Sequence, residues 1–319
     1  MTRQLPLQCL RLLKRQGGVI AAWQAESIGL DHRQVENLLR TGRWRRLRYG
    51  VYASFTGEAP RIAVLWAAVL RAGPQAILSH ETAAGLHGIL DDRSRLIHVT
   101  VPHPAHLRPI AGLVIHRSSR IAQTRDDGFR PPRTMIEETI FDLAEAATSF
   151  DDVVALLARA CQQSRTTPYL LAMTLRSRPR ARWREEIRFA IEDVADGVHS
   201  PLEYRYLRDV EHPHGLPAAE RQVRGVKRGA GVFRDVRYRK YGVVVELDGK
   251  ASHPASQRRD DDRRDNAAAA DGLITLRYGW TDVTEQACET AYEVGAVMRG
   301  RGWTGALRRC GPACRLPGP

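Results

Sequence analysis

Hydrophobic spacing divides the chain into helical and strand-like stretches. Leu5, Leu7, Leu10, Leu12 and Leu13 fall at helical spacing and stop at Gln16-Gly17-Gly18, a helix-ending glycine pair. Val19-Ile20 leads into a second helical stretch, Ala21 to Ile28, closed by Gly29. Asp31 suits the N-cap of a third helix that turns Val35, Leu38 and Leu39 inward and ends at Gly42. Residues 44–52, Trp-Arg-Arg-Leu-Arg-Tyr-Gly-Val-Tyr, alternate like a small hairpin. Three short helices followed by a hairpin are the parts of a winged helix-turn-helix.

The middle of the chain mixes both periods. Helices are predicted over Ile62–Ala72, from Ser79 onward, over Thr139–Ala147 and over Asp151–Cys161. Residues 97–101 and 113–116 read as strands joined through Pro102, Pro104 and Pro109. Further on, a helix is predicted over Trp183–Val194. Another starts at Ser200-Pro201-Leu202-Glu203, where Ser is a favourable N-cap and Pro a favourable first residue. Strands follow over Val232–Tyr238 and Val243–Asp248, then a charged helix near Gln257–Ala270 and a last strand over Leu273–Tyr278. The glycines at 225, 229 and 231 read as a basic loop without a phosphate-binding motif. The expected class is α/β (α+β), with a winged helix-turn-helix over residues 1–55, an α/β module over 56–180, a third domain over 181–305 and a Pro/Gly-rich flexible tail over 306–319.

Charge changes this picture by locating a partner. The net charge is +13, and residues 1–55 hold ten Lys or Arg against three Asp or Glu. A concentrated basic surface attracts polyanions by counterion release, which points to double-stranded DNA. In the winged-helix reading, the third helix offers Arg33, Gln34, Asn37 and Arg40, residue types that can hydrogen-bond base edges. Arg43, Arg45, Arg46 and Arg48 would flank the wing and meet phosphates or a minor groove. The alternative is a helical domain with a solvated basic face. No window offers the apolar run of a membrane span. The N-terminus lacks a signal-peptide pattern, and five cysteines in this length fit a reducing cytoplasm.

The strands at 232–248 carry candidate chemistry. A turn centred between Lys240 and Tyr241 pairs Arg237 with Val244, Asp235 with Glu246 and Phe233 with Asp248. Opposed side chains lie about 4.5–5.5 Å apart at Cβ, so these carboxylates repel unless a cation joins them. Mg²⁺ takes one or two carboxylates and fills its shell with water and phosphate oxygens. Lys250 and His253, past the strand end, could orient or deprotonate water. Alternatively the acids pair with Arg234, Arg237 and Arg277 and hold no metal. His80, His87, His98 and His116 are scattered through the middle segment; they could hold a metal, but no pair shows a local ligand motif, and structural histidines are the other reading, while two thiols, Cys310 and Cys314, cannot fill a tetrahedral zinc site alone.

Two resemblances add to this. The runs Gly17-Gly18-Val19-Ile20, Gly42-Arg43-Trp44-Arg45-Arg46, Gly50-Val51-Tyr52, and Leu78 to Ala84 with Leu86-His87-Gly88 resemble the AbiEi-type antitoxin proteins of actinobacteria over roughly residues 8–180. That resemblance implies a DNA-binding winged helix, transcription regulation of the protein's own operon within a toxin–antitoxin system, and a cognate toxin as partner. Residues 203–283 resemble the restriction-endonuclease-like domains related to very-short-patch repair endonucleases. The matching pieces are Ser200 to Glu203, Asp235, Val244 to Gly249 with His253, Arg264-Asp265, Leu276-Arg277-Tyr278 and Asp282-Val283. The PD-(D/E)XK superfamily places an Asp and an acid two residues before a Lys on metal and water. It implies a mixed sheet flanked by helices, with Asp235 and Glu246 as ligands and Glu203 as a helper from the first helix. Asp248 stands where the Lys is expected. Either Lys250 takes that role, or Asp248 and His253 replace it, or the domain binds without cutting. Glu203 has a second reading as partner of Ser200 in a capping box. The expected activity is Mg²⁺-dependent hydrolysis of DNA phosphodiesters, and the alternative is a non-catalytic regulator.

Overall fold

A computed structural model describes residues 5–91, 94–103, 107–227, 230–248 and 272–316, and only the backbone of 222–227 and 230–234. The fold is mixed α/β. The chain divides into two compact units, Met1–Ala147 with Met173–Arg182, and Thr148–Ala172 with Trp183–Pro319.

The first unit begins with α1 (Leu7–Arg15), β1 (Val19–Ala21), α2 (Ala22–Ser27), α3 (His32–Arg40), β2 (Arg45–Arg48) and β3 (Val51–Ala53). The strands form an antiparallel sheet in the order β1-β3-β2. The sequence pattern assigned Val19-Ile20 to a helix lead-in. The structure places residues 19–21 in the sheet, because all three are buried β-branched or small side chains paired to β3. At Gly18 the backbone has φ +82° and a Cβ would lie 2.9 Å from the Phe55 ring, so only glycine fits. Helix α3 starts with the Asp31 carboxylate accepting from Gln34 N–H, while the Gln34 side chain accepts from Asp31 N–H. Val35 and Leu38 then meet Cys9, Leu13, Ile20, Trp44 and Tyr52 in one apolar cluster.

The predicted break at residue 55 is not a break in packing. Val19, Ala21 and Val51 pack on Ala63, Trp66, Ala67 and Leu70 of α4 (Arg61–Ala72). The remaining strands, β4 (Ile77–Leu78), β5 (Ile97–Pro102), β6 (Leu113–Ser118), β7 (Arg125–Asp126) and β8 (Arg133–Thr134), form a sheet in the order β6-β5-β4-β8-β7. Helix α5 (His80–Leu86) follows β4, α6 (Ile121–Thr124) follows β6, and α7 (Ile136–Ala146) follows β8.

Helix α8 (Phe150–Gln162) belongs to the second unit, not to the middle segment in which composition placed it. Its Asp151 takes two hydrogen bonds from Arg205, and the Phe150 ring meets the rings of Trp183 and Tyr204. Helices α9 (Pro168–Arg176) and α10 (Arg184–Ala195) follow. Helix α11 (Pro201–Arg205) continues through a π-helical stretch, Tyr206–Glu211, into α12 (His212–His214). A four-stranded sheet comes next: β9 (Glu220–Lys227), β10 (Ala230–Tyr238), β11 (Val243–Leu247) and β12 (Ile274–Tyr278), in spatial order β12-β11-β10-β9. The first three pair antiparallel, and β11 with β12 is parallel. Strand β9 occupies what read as a loop; its sequence, Glu-Arg-Gln-Val-Arg-Gly-Val-Lys, is too polar to alternate visibly. Helices α13 (Trp280–Thr284) and α14 (Ala287–Gly300) close the unit.

One face of this sheet, with Val236, Tyr238, Val243 and Val245, packs on Leu202, Tyr206, Val210, Val294 and Met298. The segment read as a flexible tail is in part buried: Leu307 packs against this core, and Cys314 and Leu316 are buried. Among the described residues, no helix is long and apolar enough to cross a membrane.

Candidate functional site

The first candidate surface is the outer face of α3 with the β2–β3 hairpin. Arg33, Asn37, Arg40 and Arg43 are exposed, and the Arg40 guanidinium donates to the Asn37 side chain at 2.8 Å. Arg46 is also exposed, with Nη2 3.8 Å from the Glu36 carboxylate. The other three predicted contacts are engaged within the fold. Gln34 spends its amide oxygen on the Asp31 N–H. Arg45 lies over the Phe55 ring, 5.4 Å from its centroid. Arg48 donates to the Ala111 carbonyl at 2.9 Å, and burial lowers its pKa, with Arg71 adding to the effect.

The second candidate is the acidic face of the β10–β11 pair. The observed register sets Val236 against Val245, Arg237 against Val244 and Tyr238 against Val243. The pairing ends there, and Asp235 and Glu246 follow as the next residue on each strand, each alternating to the face opposite the apolar core. The Asp235 Oδ2 accepts from Leu247 N–H at 2.9 Å. Burial raises the Asp235 carboxyl above its ordinary range; that hydrogen bond opposes the rise, and the nearby Glu203 and Asp248 carboxylates add to it. Glu203 of α11 and Asp248, just past β11, thus both act on Asp235. Glu246 is held differently: its Oε2 lies 3.0 Å from Arg277 Nη2, and the two residues are level on parallel strands.

Glu203 does form the capping arrangement. Ser200 Oγ accepts from Glu203 N–H at 3.1 Å, and the Glu203 carboxylate accepts from Ser200 Oγ and from the His199 amide. The amide is that of His199, not of Ser200. The side chain is 4% exposed, so cap and acidic cluster share one carboxylate. Lys250 and His253 lie outside the described residues, as do the charged helix near 257–270 and Arg264-Asp265. The side chains of Phe233 and Arg234 are likewise not described.

Carboxylate oxygens are hard donors, but among the described residues no three of these acids bring an oxygen each within 4.8 Å of one another. Asp235 and Asp248 supply carboxylate oxygens; burial first, and the neighbouring acids after it, raise the Asp235 pKa, and a divalent ion would offset both. Glu246 joins such a set only at the expense of its guanidinium partner.

A third cluster escaped the sequence pattern. His80, His98 and His116, from α5, β5 and β6, bring ring nitrogens within 4.8 Å of one another. His80 and His116 stack with centroids 3.5 Å apart, and His98 Nδ1 lies 3.1 Å from His116 Nε2 and 2.9 Å from the Glu81 carboxylate. His80 has φ +50°, an unusual backbone for a non-glycine residue. Burial, followed by the neighbouring His116, His98 and Arg178, pushes its pKa down to about 3. His80 and His116 line a polar cavity of about 290 Å³ with Thr100, Arg120, Asp142 and Arg178. His87 stands apart, bonded to the Thr134 carbonyl at 2.8 Å.

No protein-family model matches the chain, and no curated protein matches it either.

Proposed function

We propose that this protein binds double-stranded DNA through a winged helix-turn-helix at its N-terminus and carries a Mg²⁺-dependent nuclease centre in its second unit. The order helix, strand, two helices, two strands supports the winged-helix reading, and the exposed Arg33, Asn37, Arg40, Arg43 and Arg46 supply the basic face. For the nuclease, the support is a mixed sheet flanked by helices whose polar face gathers Asp235, Glu203 and Asp248, with Glu246 one strand away. Crowded carboxylates at the edge of a cationic protein are suited to hold a divalent ion against a phosphodiester. The observation that carries the reading is the partly buried Asp235 carboxylate, bonded to Leu247 N–H, with the Glu203 and Asp248 carboxylates near it. When bound, Mg²⁺ would neutralise phosphate charge; Asp235 and Asp248 would hold it, and Glu203 would position the cluster from α11.

The Glu246–Arg277 ion pair favours a second reading, a non-catalytic regulator or antitoxin whose second unit binds DNA or a toxin protein. A nicking assay on supercoiled plasmid with purified full-length protein separates the two. Cleavage that requires Mg²⁺ or Mn²⁺ and disappears in Asp235→Ala and Asp248→Ala supports the nuclease. Tight duplex binding without cleavage in either metal supports the regulator.

A further inference from the structure

The second unit contains a side-chain cluster that neither reading uses. His214 ends α12, Cys288 lies in the first turn of α14, and Cys310 and Cys314 flank Gly311-Pro312-Ala313. One ring nitrogen and the three sulfurs all lie within 4.8 Å of one another. The three cysteines form no disulfide. Cys288 Sγ is 3.7 Å from Cys310 Sγ and 3.7 Å from Cys314 Sγ. That is far beyond a disulfide bond of about 2.05 Å. It is close to the edge of a tetrahedron built on Zn–S bonds of about 2.3 Å, which places the sulfurs about 3.8 Å apart.

The histidine supplies an independent observation. Its residue is 0% exposed. Nδ1 faces the Val210 carbonyl at 2.9 Å, so Nδ1 carries the proton and donates it. Nε2 is then a bare lone pair, buried and without a hydrogen-bond partner. An unsatisfied buried acceptor is costly. A histidine whose second nitrogen is fixed by a carbonyl is the usual form of a metal ligand. Three soft thiolates with one imidazole in tetrahedral spacing select zinc over hard cations.

We propose that His214, Cys288, Cys310 and Cys314 bind one zinc ion in a closed structural site. All four positions come from the protein, so the ion has no place for water or substrate. Its role follows from what it joins. Residues 303–310 have no regular secondary structure, yet Trp303 and Leu307 pack on the core. The Arg308 N–H donates to the His214 carbonyl at 2.8 Å, and Arg309 donates to the Cys314 carbonyl at 2.6 Å. Gly215 lets the chain turn with φ +70° directly after His214; a Cβ there would lie 2.7 Å from Arg308 Nε. Zinc would strap this C-terminal segment to α12 and α14 and close the stretch between residues 214 and 288, which carries the whole β9–β12 sheet. The sequence hid the site because its ligands are dispersed, with only Cys310 and Cys314 adjacent.

The test is zinc content, read without DNA and therefore independent of the nuclease reading. Full-length protein purified without chelator should contain one zinc per chain by elemental analysis. Titration with an organomercurial should release it in step with three thiols. Cys288→Ser and His214→Ala should lose the metal, and His214→Cys should keep it. Should the variants fail to fold, the wild-type stoichiometry and a lowered unfolding temperature on adding a strong zinc chelator decide the matter. Folded wild-type protein without zinc after refolding in its presence would overturn the proposal. So would full zinc retention in folded Cys288→Ser, or formation of a Cys310–Cys314 disulfide in place of metal binding.

Discussion

Arg277 Nη2 lies 3.0 Å from Glu246 Oε2, with the two residues level on adjacent parallel strands and their side chains 29% and 20% exposed. A pair this sheltered couples more strongly than a surface ion pair. A double-mutant cycle with Glu246→Gln and Arg277→Met should give a coupling of about 1–2 kcal/mol in urea unfolding of the full chain. Purely additive effects would show that the contact contributes nothing, and would remove the observation behind the regulator reading.

DNA affinity should depend on arginines in proportion to their freedom. Arg43 and Arg46 are exposed, whereas Arg48 is tied to Ala111 and Arg45 rests on Phe55. Arg43→Ala combined with Arg46→Ala should weaken duplex binding and flatten the slope of log affinity against log salt by about two counterions. Arg48→Ala should leave that slope unchanged. Fluorescence anisotropy across a salt series reads both. A slope that falls in Arg48→Ala, but not in the double variant, would place the DNA on another face.

The pairing of 236–238 with 243–245 was legible in the sequence because Val243, Val245 and the even-length turn fix one register, and a slip of a single residue would turn those valines outward. Helix α3 was legible for the same reason: Asp31, Val35 and Leu38 mark its start and its buried side. Strand β9 was not, because its charged residues hide the alternation. The histidine cluster was not either: it depends on β5 and β6 lying side by side, a relationship between residues 98 and 116 that no local pattern records. The capping role of Gln34 was not legible because a base-reading amide and a capping amide look the same in one dimension. Only the Asp31 hydrogen bonds distinguish them.

The histidine network gives the first unit a dependence on acidity. An unfolded histidine titrates near 6.5, whereas His80 in the fold titrates at about 3. Its contribution is complete above pH 6.5. As pH falls from there toward 3, the unfolded chain takes up a proton that the folded chain refuses. Stability should therefore drop by up to about 1.4 kcal/mol per pH unit in this window. The groups facing His80 are His98, His116 and Arg178, with Ser79 bonded to its ring. Urea midpoints at pH 7 and pH 4.5 should converge more for His80→Gln than for the wild type. An equal drop in both would mean that His80 is not the group responsible.

Glu211 and Arg221 form a deeply buried ion pair, 2.8 Å apart with side chains 2% and 5% exposed. The Tyr238 hydroxyl donates to the same carboxylate at 3.1 Å and meets the Tyr206 hydroxyl at 3.0 Å. Burial raises the Glu211 pKa, and Arg221 opposes that rise. The pair sits between the π-helical stretch and β9, so it fixes how the helix that carries Glu203 meets the sheet that carries Asp235. Removing one partner strands the other without water. Glu211→Leu or Arg221→Met alone should cost about 3–5 kcal/mol, while the double substitution should recover most of that loss. Denaturant unfolding of the three variants measures it. Single substitutions that cost less than the double would show that the charges are solvated and that the pair does not hold α11 in place.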